Sequence, residues 1–146
     1  MRTVDNHEIR KVVIATGSVT TLAGSTISGH ADGVGGAASF YSPTGITTDG
    51  KYLYVADCGN NEIRRIDIAS GTVYTIAGSK TSGHVDGPGL SASFLQPFGI
   101  ATDGTYLYVT DMGNHEIYRD LPRNPLLRKP LGGQRLMDWG DGARGG

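Results

Sequence analysis

The chain has 146 residues, with 13 Lys+Arg against 14 Asp+Glu and a single cysteine, the size of one ordinary domain without a disulfide framework. A net charge of −1 gives no overall attraction for nucleic acid or anionic membrane, so neither partner is expected. Glycine reaches 23 residues while charged residues stay at 18%, a balance that favours tight turns and sheet over helix bundles.

Met1 to Glu8 carries no apolar leader, and no run of about 18 apolar residues suits a membrane span. Localisation is left open. The dominant feature is an internal repeat of period 54: Ile14 to Asp67 aligns without a gap on Ile68 to Leu121, with 33 identities in 54 positions. Upstream, Asn6-His7-Glu8-Ile9-Arg10 falls in register with Asn60-Asn61-Glu62-Ile63-Arg64 and Asn114-His115-Glu116-Ile117-Tyr118. Repeats of this length mark stacked or radial architectures.

In chain order, residues 4-24 are the last two strands of a unit whose first two are not in register upstream. The stretch 43-77 then holds four strands. The first, Pro43 to Thr48, is small and Gly-containing and ends in Asp49-Gly50, a favoured hairpin turn. The second, Tyr52 to Ala56, is apolar on both parities and predicts cover on both faces. The third, Glu62 to Ile68, carries more charge; the fourth, Val73 to Ala77, is short and β-branched. Small residues suit a crowded axis and polar or short strands an exposed rim, which predicts a propeller blade. The third unit, 97-120, repeats the first strands. Between units lie Gly-rich connections such as Gly78 to Gln96, anchored by Ala92, Phe94 and Leu95.

These residues resemble bacterial NHL-repeat propellers of the long, 54-residue type. The resemblance rests on His30-Ala31-Asp32-Gly33, Ala38-Ser39-Phe40-Tyr41-Ser42-Pro43-Thr44-Gly45-Ile46, Tyr54-Val55-Ala56-Asp57, Asn60-Asn61-Glu62-Ile63-Arg64-Arg65-Ile66 and Val73-Tyr74-Thr75-Ile76-Ala77-Gly78. The naming triplet departs from the type, with Glu at its third place. The resemblance implies an all-β fold of four-stranded antiparallel blades, closing in rings of about six. This chain supplies about two.

Two unfinished blades would expose large apolar faces, which soluble monomers rarely do. Three explanations are open: a homotrimer closing six blades, a head-to-tail filament using the same contact, or a longer product of which this is a slice. The tail, 121-146, is unlike a blade. Its five basic and two acidic residues leave the preceding 120 at net −4, which argues against nucleic-acid binding.

Because the repeats are so alike, a residue present in each serves the blade, and one that differs can serve a site. Asp49/Asp103 and Asp57/Asp111 read as turn carboxylates accepting backbone N–H bonds. His30 and His84, each followed two residues later by Asp, suit a ligand site where loops converge, although a His bonding its own Asp is the commoner arrangement. His7 and His115 stand where Asn61 stands, so that turn accepts either. Cys58 corresponds to Met112; no nucleophile elbow, P-loop or calcium loop is present. The positions that differ include Thr44/Phe98, Tyr41/Leu95 and Arg64/Tyr118. Thr44 and Phe98 begin the axial strand near a channel mouth, and Arg64 and Tyr118 sit nearer the rim.

The reading is therefore a non-enzymatic binding or scaffold module that self-assembles or belongs to a larger propeller. It would present Thr44, Phe98, Tyr41, Arg64, Tyr118, His30 and His84 to a protein, peptide or glycan. No catalytic residue, metal or cofactor is assigned. The alternative is a metal-dependent lyase or hydrolase of the six-bladed class.

Overall fold

The computed structural model of the chain describes residues 6–114. Tyr118, His115 and the 121-146 tail lie outside the described residues. Residues up to Thr110 belong to one compact unit and the short stretch Asp111 to Asn114 to another. Among the described residues there are nine strands, four single 3-10 turns and no α-helix.

Strands β1 (Glu8–Val12) and β2 (Val19–Gly24) form an antiparallel pair. The connection that follows contributes a two-residue strand, β3 (Gly33–Val34). Then comes a meander, β4 (Pro43–Thr48), β5 (Tyr52–Asp57), β6 (Glu62–Asp67) and β7 (Thr72–Gly78). Finally β8 (Pro97–Thr102) and β9 (Leu107–Asp111) form a second isolated pair. The large sheet has the order β3-β7-β6-β5-β4. The rim reading needs a correction here. The fourth strand is not left bare, because β3 pairs with it, Gly33 opposite Val73 and Val34 opposite Thr72. A connection that looks structureless in sequence thus shields a sheet edge.

Local chemistry explains the meander. At the β4–β5 turn the Asp49 carboxylate accepts the N–H groups of Lys51 and Tyr52, at 3.0 and 2.9 Å, and the Tyr54 hydroxyl at 2.8 Å. The Tyr52 and Lys51 N–H groups, then the Tyr54 hydroxyl, hold this carboxyl below the usual range. Asp103 repeats the turn with Thr105, Tyr106 and Tyr108. Pro43, with no N–H to give, stands at the first position of the edge strand β4, where it costs no ladder bond. Gly45 permits the close approach of the next repeat: a Cβ there would lie 2.6 Å from the Phe98 carbonyl oxygen.

The core joins β1–β2 to the large sheet. Ile9 and Ala23 pack with Val55, Ile66 and Val73, and the connection inserts Ala38 and Phe40. Burying a side chain such as Phe40 contributes about 1.5–3 kcal/mol. This pinning gives the loop a defined course over β6.

Candidate functional site

The densest polar cluster surrounds Arg64, which lies on β6 and is fully buried. Its Nη1 donates to Asp57 Oδ2 at 2.7 Å and to the Ser39 carbonyl at 2.9 Å. Its Nη2 donates to the Ala31 carbonyl at 2.9 Å and Asp32 Oδ1 at 3.0 Å, and the guanidinium lies 5.0 Å over the Phe40 ring. The planar fork suits this task, since one side chain reaches four acceptors from three chain segments. Asp57 also accepts the Tyr41 N–H and the Asn60 amide, and that amide donates to the Gly29 carbonyl. Residues 29–41, which have little sheet of their own, are therefore gripped at Gly29, Ala31, Asp32, Ser39 and Tyr41 by Asp57, Asn60 and Arg64. Burial pushes the Asp57 carboxyl up, against the Tyr41 N–H, the Asn60 amide and the Arg64 charge.

Arg64 was expected near the rim as a partner-binding residue, and this is corrected. In sequence it looks like one charge of a polar strand, but the overlying connection covers it and accepts from both Nη groups, while its buried Nε has no hydrogen-bond partner among the described residues. His30 is likewise not bonded to its own Asp32. Asp32 accepts from Arg64 and from the Thr75 hydroxyl at 2.9 Å, while His30 Nδ1 lies 3.8 Å from Glu62 Oε2 and its ring is half exposed. Glu62 is the functional-looking residue that the repeat comparison passes over, because Glu8 and Glu116 share its place and mark it as a blade residue. Its Oε2 is buried without a hydrogen-bond partner among the described residues. Burial pushes its carboxyl up, with the Arg64 charge working against that. His84, the counterpart of His30, is exposed.

Thr44 and Phe98 are brought together. The Thr44 hydroxyl donates to the Phe98 carbonyl at 2.8 Å across the seam between β4 and β8, and Phe98 stays 48% exposed. Tyr41 precedes β4 at the same end of the sheet, half exposed, with its ring edge-on to His7 at 5.5 Å. His30 belongs to that end as well, through Glu62 at the start of β6. Four of the seven candidates thus share one end: Tyr41, Thr44, Phe98 and His30.

The tolerance for His or Asn at the turn before β1 and β6 has a direct cause. His7 and Asn61 both adopt positive φ, 46° and 60°. His7 Nδ1 accepts the Ser42 N–H at 3.0 Å, and Asn61 Oδ1 accepts the Gln96 N–H at 2.8 Å. Each side chain presents an acceptor two bonds beyond Cβ, so either ties one repeat to the start of the next.

Among the described residues no group of three or more His, Cys, Asp or Glu is placed to hold a metal. Burial, then the Asp57 charge, pushes the Cys58 thiol up, opposite to what a nucleophile needs. The cluster's chemistry is that of a clamp, beside a rim of exposed aromatic and hydroxyl groups.

No family model matches the chain. It is similar to NHL repeat-containing protein 2 of Homo sapiens, 34% identical over 125 residues, which are 77% of this chain and 17% of that protein. The Gallus gallus protein of that name is 32% identical over 140 residues, 87% of this chain and 19% of the other. The chain therefore spans less than a fifth of the length of these curated relatives. Among solved structures, a Bacteroides thetaiotaomicron protein of unknown function aligns with a TM-score of 0.66 at 27% identity, over 73% of this chain and 28% of that one. Auxiliary nutrient binding proteins of Bacteroides ovatus and Bacteroides thetaiotaomicron align at TM-scores of 0.64 and 0.62, with 26% and 25% identity. They cover 75% and 77% of this chain, and 31% and 32% of their own.

Proposed function

We propose that this chain, for which the relatives support an NHL-repeat family and the solved neighbours a β-propeller-like fold, is a binding and scaffold module rather than an enzyme. It presents the end bearing Tyr41, Thr44 and Phe98 to a protein, peptide or glycan, and it assembles with copies of itself. The observation that carries this reading is a division of labour. The charged residues Arg64 and Asp57 are consumed in holding a connection, whereas Thr44 and Phe98, which differ between repeats, meet at an exposed seam. Exposed aromatics beside hydroxyl groups suit peptide and sugar faces. That two solved neighbours are nutrient binding proteins supports a binding role.

The test is binding of the purified chain to oligosaccharide and peptide libraries. Phe98→Ala and Tyr41→Ala should each weaken captured probes at least roughly tenfold, as anchor residues do, with the circular dichroism unchanged. Binding indifferent to both substitutions would overturn the assignment of this end. A metal-dependent lyase or hydrolase is the second reading, favoured by one feature, the half-exposed His30 beside the buried Glu62 carboxyl. Stoichiometric zinc or calcium, lost on His30→Ala, would replace the first reading with this one.

A further inference from the structure

Two seams between successive repeats are tied in the same way, and they differ in one respect. The residue just ahead of each first strand, Ser42 before β4 and Gln96 before β8, has a positive φ, 53° and 58°. Neither is glycine and each precedes a proline, so both sit in a backbone region that such residues leave unless something holds them. The hold is a side-chain acceptor from the previous repeat. His7 Nδ1 accepts the Ser42 N–H at 3.0 Å, and Asn61 Oδ1 accepts the Gln96 N–H at 2.8 Å. An amide oxygen accepts at any ordinary pH. An imidazole nitrogen that takes a proton becomes a donor, and a donor cannot hold an N–H.

The surroundings of the His7 ring offer nothing in exchange for that bond. Among the described residues no carboxylate pairs with the ring; the ion pairs are those of Arg10, His30 and Arg64. The adjoining Glu8 accepts the Thr21 hydroxyl at 2.8 Å and faces Arg10. From the connection, the ring is met edge-on by Tyr41. Behind Tyr41, the turn after β5 carries Asp57 and Cys58. Asp57 accepts the Tyr41 N–H at 2.8 Å and is committed to Asn60 and Arg64, and burial, then the Asp57 charge, keeps the Cys58 thiol protonated. A proton on His7 therefore costs the Ser42 bond and gains no anionic partner among these groups.

Tyr41 connects this tie to the binding end. Its backbone is fixed on both sides, the N–H on Asp57 and the carbonyl accepting the Gly59 N–H at 2.7 Å. Its ring lies against Gly59, where a Cβ would come within 2.6 Å of a ring carbon, and His7 stands at 5.5 Å from the ring centre. What can move is the Tyr41 ring and the Ser42 backbone.

We propose, resting on the reading that Tyr41 belongs to the binding end, that His7 is a proton-operated latch on that end. Neutral, it holds Ser42 in the left-handed conformation and keeps the Tyr41 ring oriented. Protonated, it releases the Ser42 N–H, Ser42 relaxes toward the extended region that a residue before proline prefers, and Tyr41 loses the contact that orients it. Histidine changes charge between about pH 5 and 8, so acidification opens this seam and lowers binding at Tyr41. The second seam, tied by Asn61, is unaffected and serves as the control inside the same molecule.

Nuclear magnetic resonance on the full chain without ligand, from about pH 8 down to about pH 5, reads the latch. The Ser42 amide should titrate, and its hydrogen exchange, corrected for the intrinsic effect of pH, should rise about tenfold on loss of one net hydrogen bond. The Tyr41 ring signals should move with it and the Gln96 amide should not. His7→Asn installs the side chain that the second seam already uses at positive φ, so the fold is kept and the Ser42 response should vanish. Asn61→His should transfer the response to Gln96. A Ser42 amide indifferent to pH, one that titrates unchanged in His7→Asn, or a Gln96 amide that stays still in Asn61→His would overturn the latch. Because the measurement needs no ligand, its failure leaves the binding end standing, whereas capture indifferent to Phe98→Ala and Tyr41→Ala would remove the binding end and leave the Ser42 latch in place.

Discussion

The β6–β7 pair and the β1–β2 pair are built from nearly the same residues, Glu-Ile-Arg-Arg-Ile against Glu-Ile-Arg-Lys-Val on the leading strand, yet they end in opposite environments. On β6 the arginine is sealed under a connection and the isoleucine is part of the core. On β1 the arginine and the valine face outward. Intrinsic strand preference is therefore not what separates them. What differs is the neighbour: β5 on one side and residues 29–41 above. The burial of each strand is set by contacts far apart in sequence.

The comparison breaks most sharply at the arginines. Arg64→Ala strips one partner from a buried ion pair and should cost about 3–5 kcal/mol, read as a loss of denaturant midpoint. In the monomer, Arg10→Ala should cost within about 1 kcal/mol, as exposed pairs do. Equal effects would mean that burial does not distinguish the two units. Next in size is Gly45→Ala. Its Cβ would lie 2.6 Å from backbone at Phe98, whereas at the counterpart Gly99 the nearest atom is the Thr110 hydroxyl at 3.1 Å. Overpacking costs about 1–3 kcal/mol, so thermal unfolding should shift further for Gly45→Ala than for Gly99→Ala.

Smaller effects fall on the ties between repeats. Asn61→Ala removes the acceptor of the Gln96 N–H and should lose about 0.5–1.5 kcal/mol, while Asn61→His, with an acceptor in the same place, should lose less. The smallest is a matter of pH. Burial raises the Glu62 carboxyl above 4.5 in the folded chain, so the folded state holds the proton more tightly than the unfolded one. The stabilisation is complete below 4.5 and is lost as pH rises through the folded value. Glu62→Gln should flatten that decline, and urea titrations from pH 4 to 8 will read it. A decline of unchanged slope would show that Glu62 is not its source.

The strands were legible because turn chemistry and the repeat both speak locally: Asp49-Gly50, the Tyr-Leu-Tyr-Val run and the β-branched Val73 stretch each carry their own signal. Arg64 was not legible, for a physical reason. Its acceptors at Ala31, Asp32 and Ser39 lie 25 to 33 residues upstream, so nothing beside it in sequence marks it as buried. β3 escaped notice because two residues, Gly33 and Val34, have no period to detect. Of the candidate site, Thr44 with Phe98 was found through a difference between repeats. The Glu62–His30 contact was missed because a residue present in every repeat attracts no notice by that method.

The central claim is that neighbours distant in sequence, not the strand's own residues, decide how β1 and β6 are buried. Amide hydrogen exchange on the full chain tests it most directly. The amides of Arg10 to Val12 should exchange roughly a hundredfold or more faster than those of Arg64 to Ile66, which lie on a strand paired on both sides, with β5 and β7. Equal protection of the two segments would contradict the account.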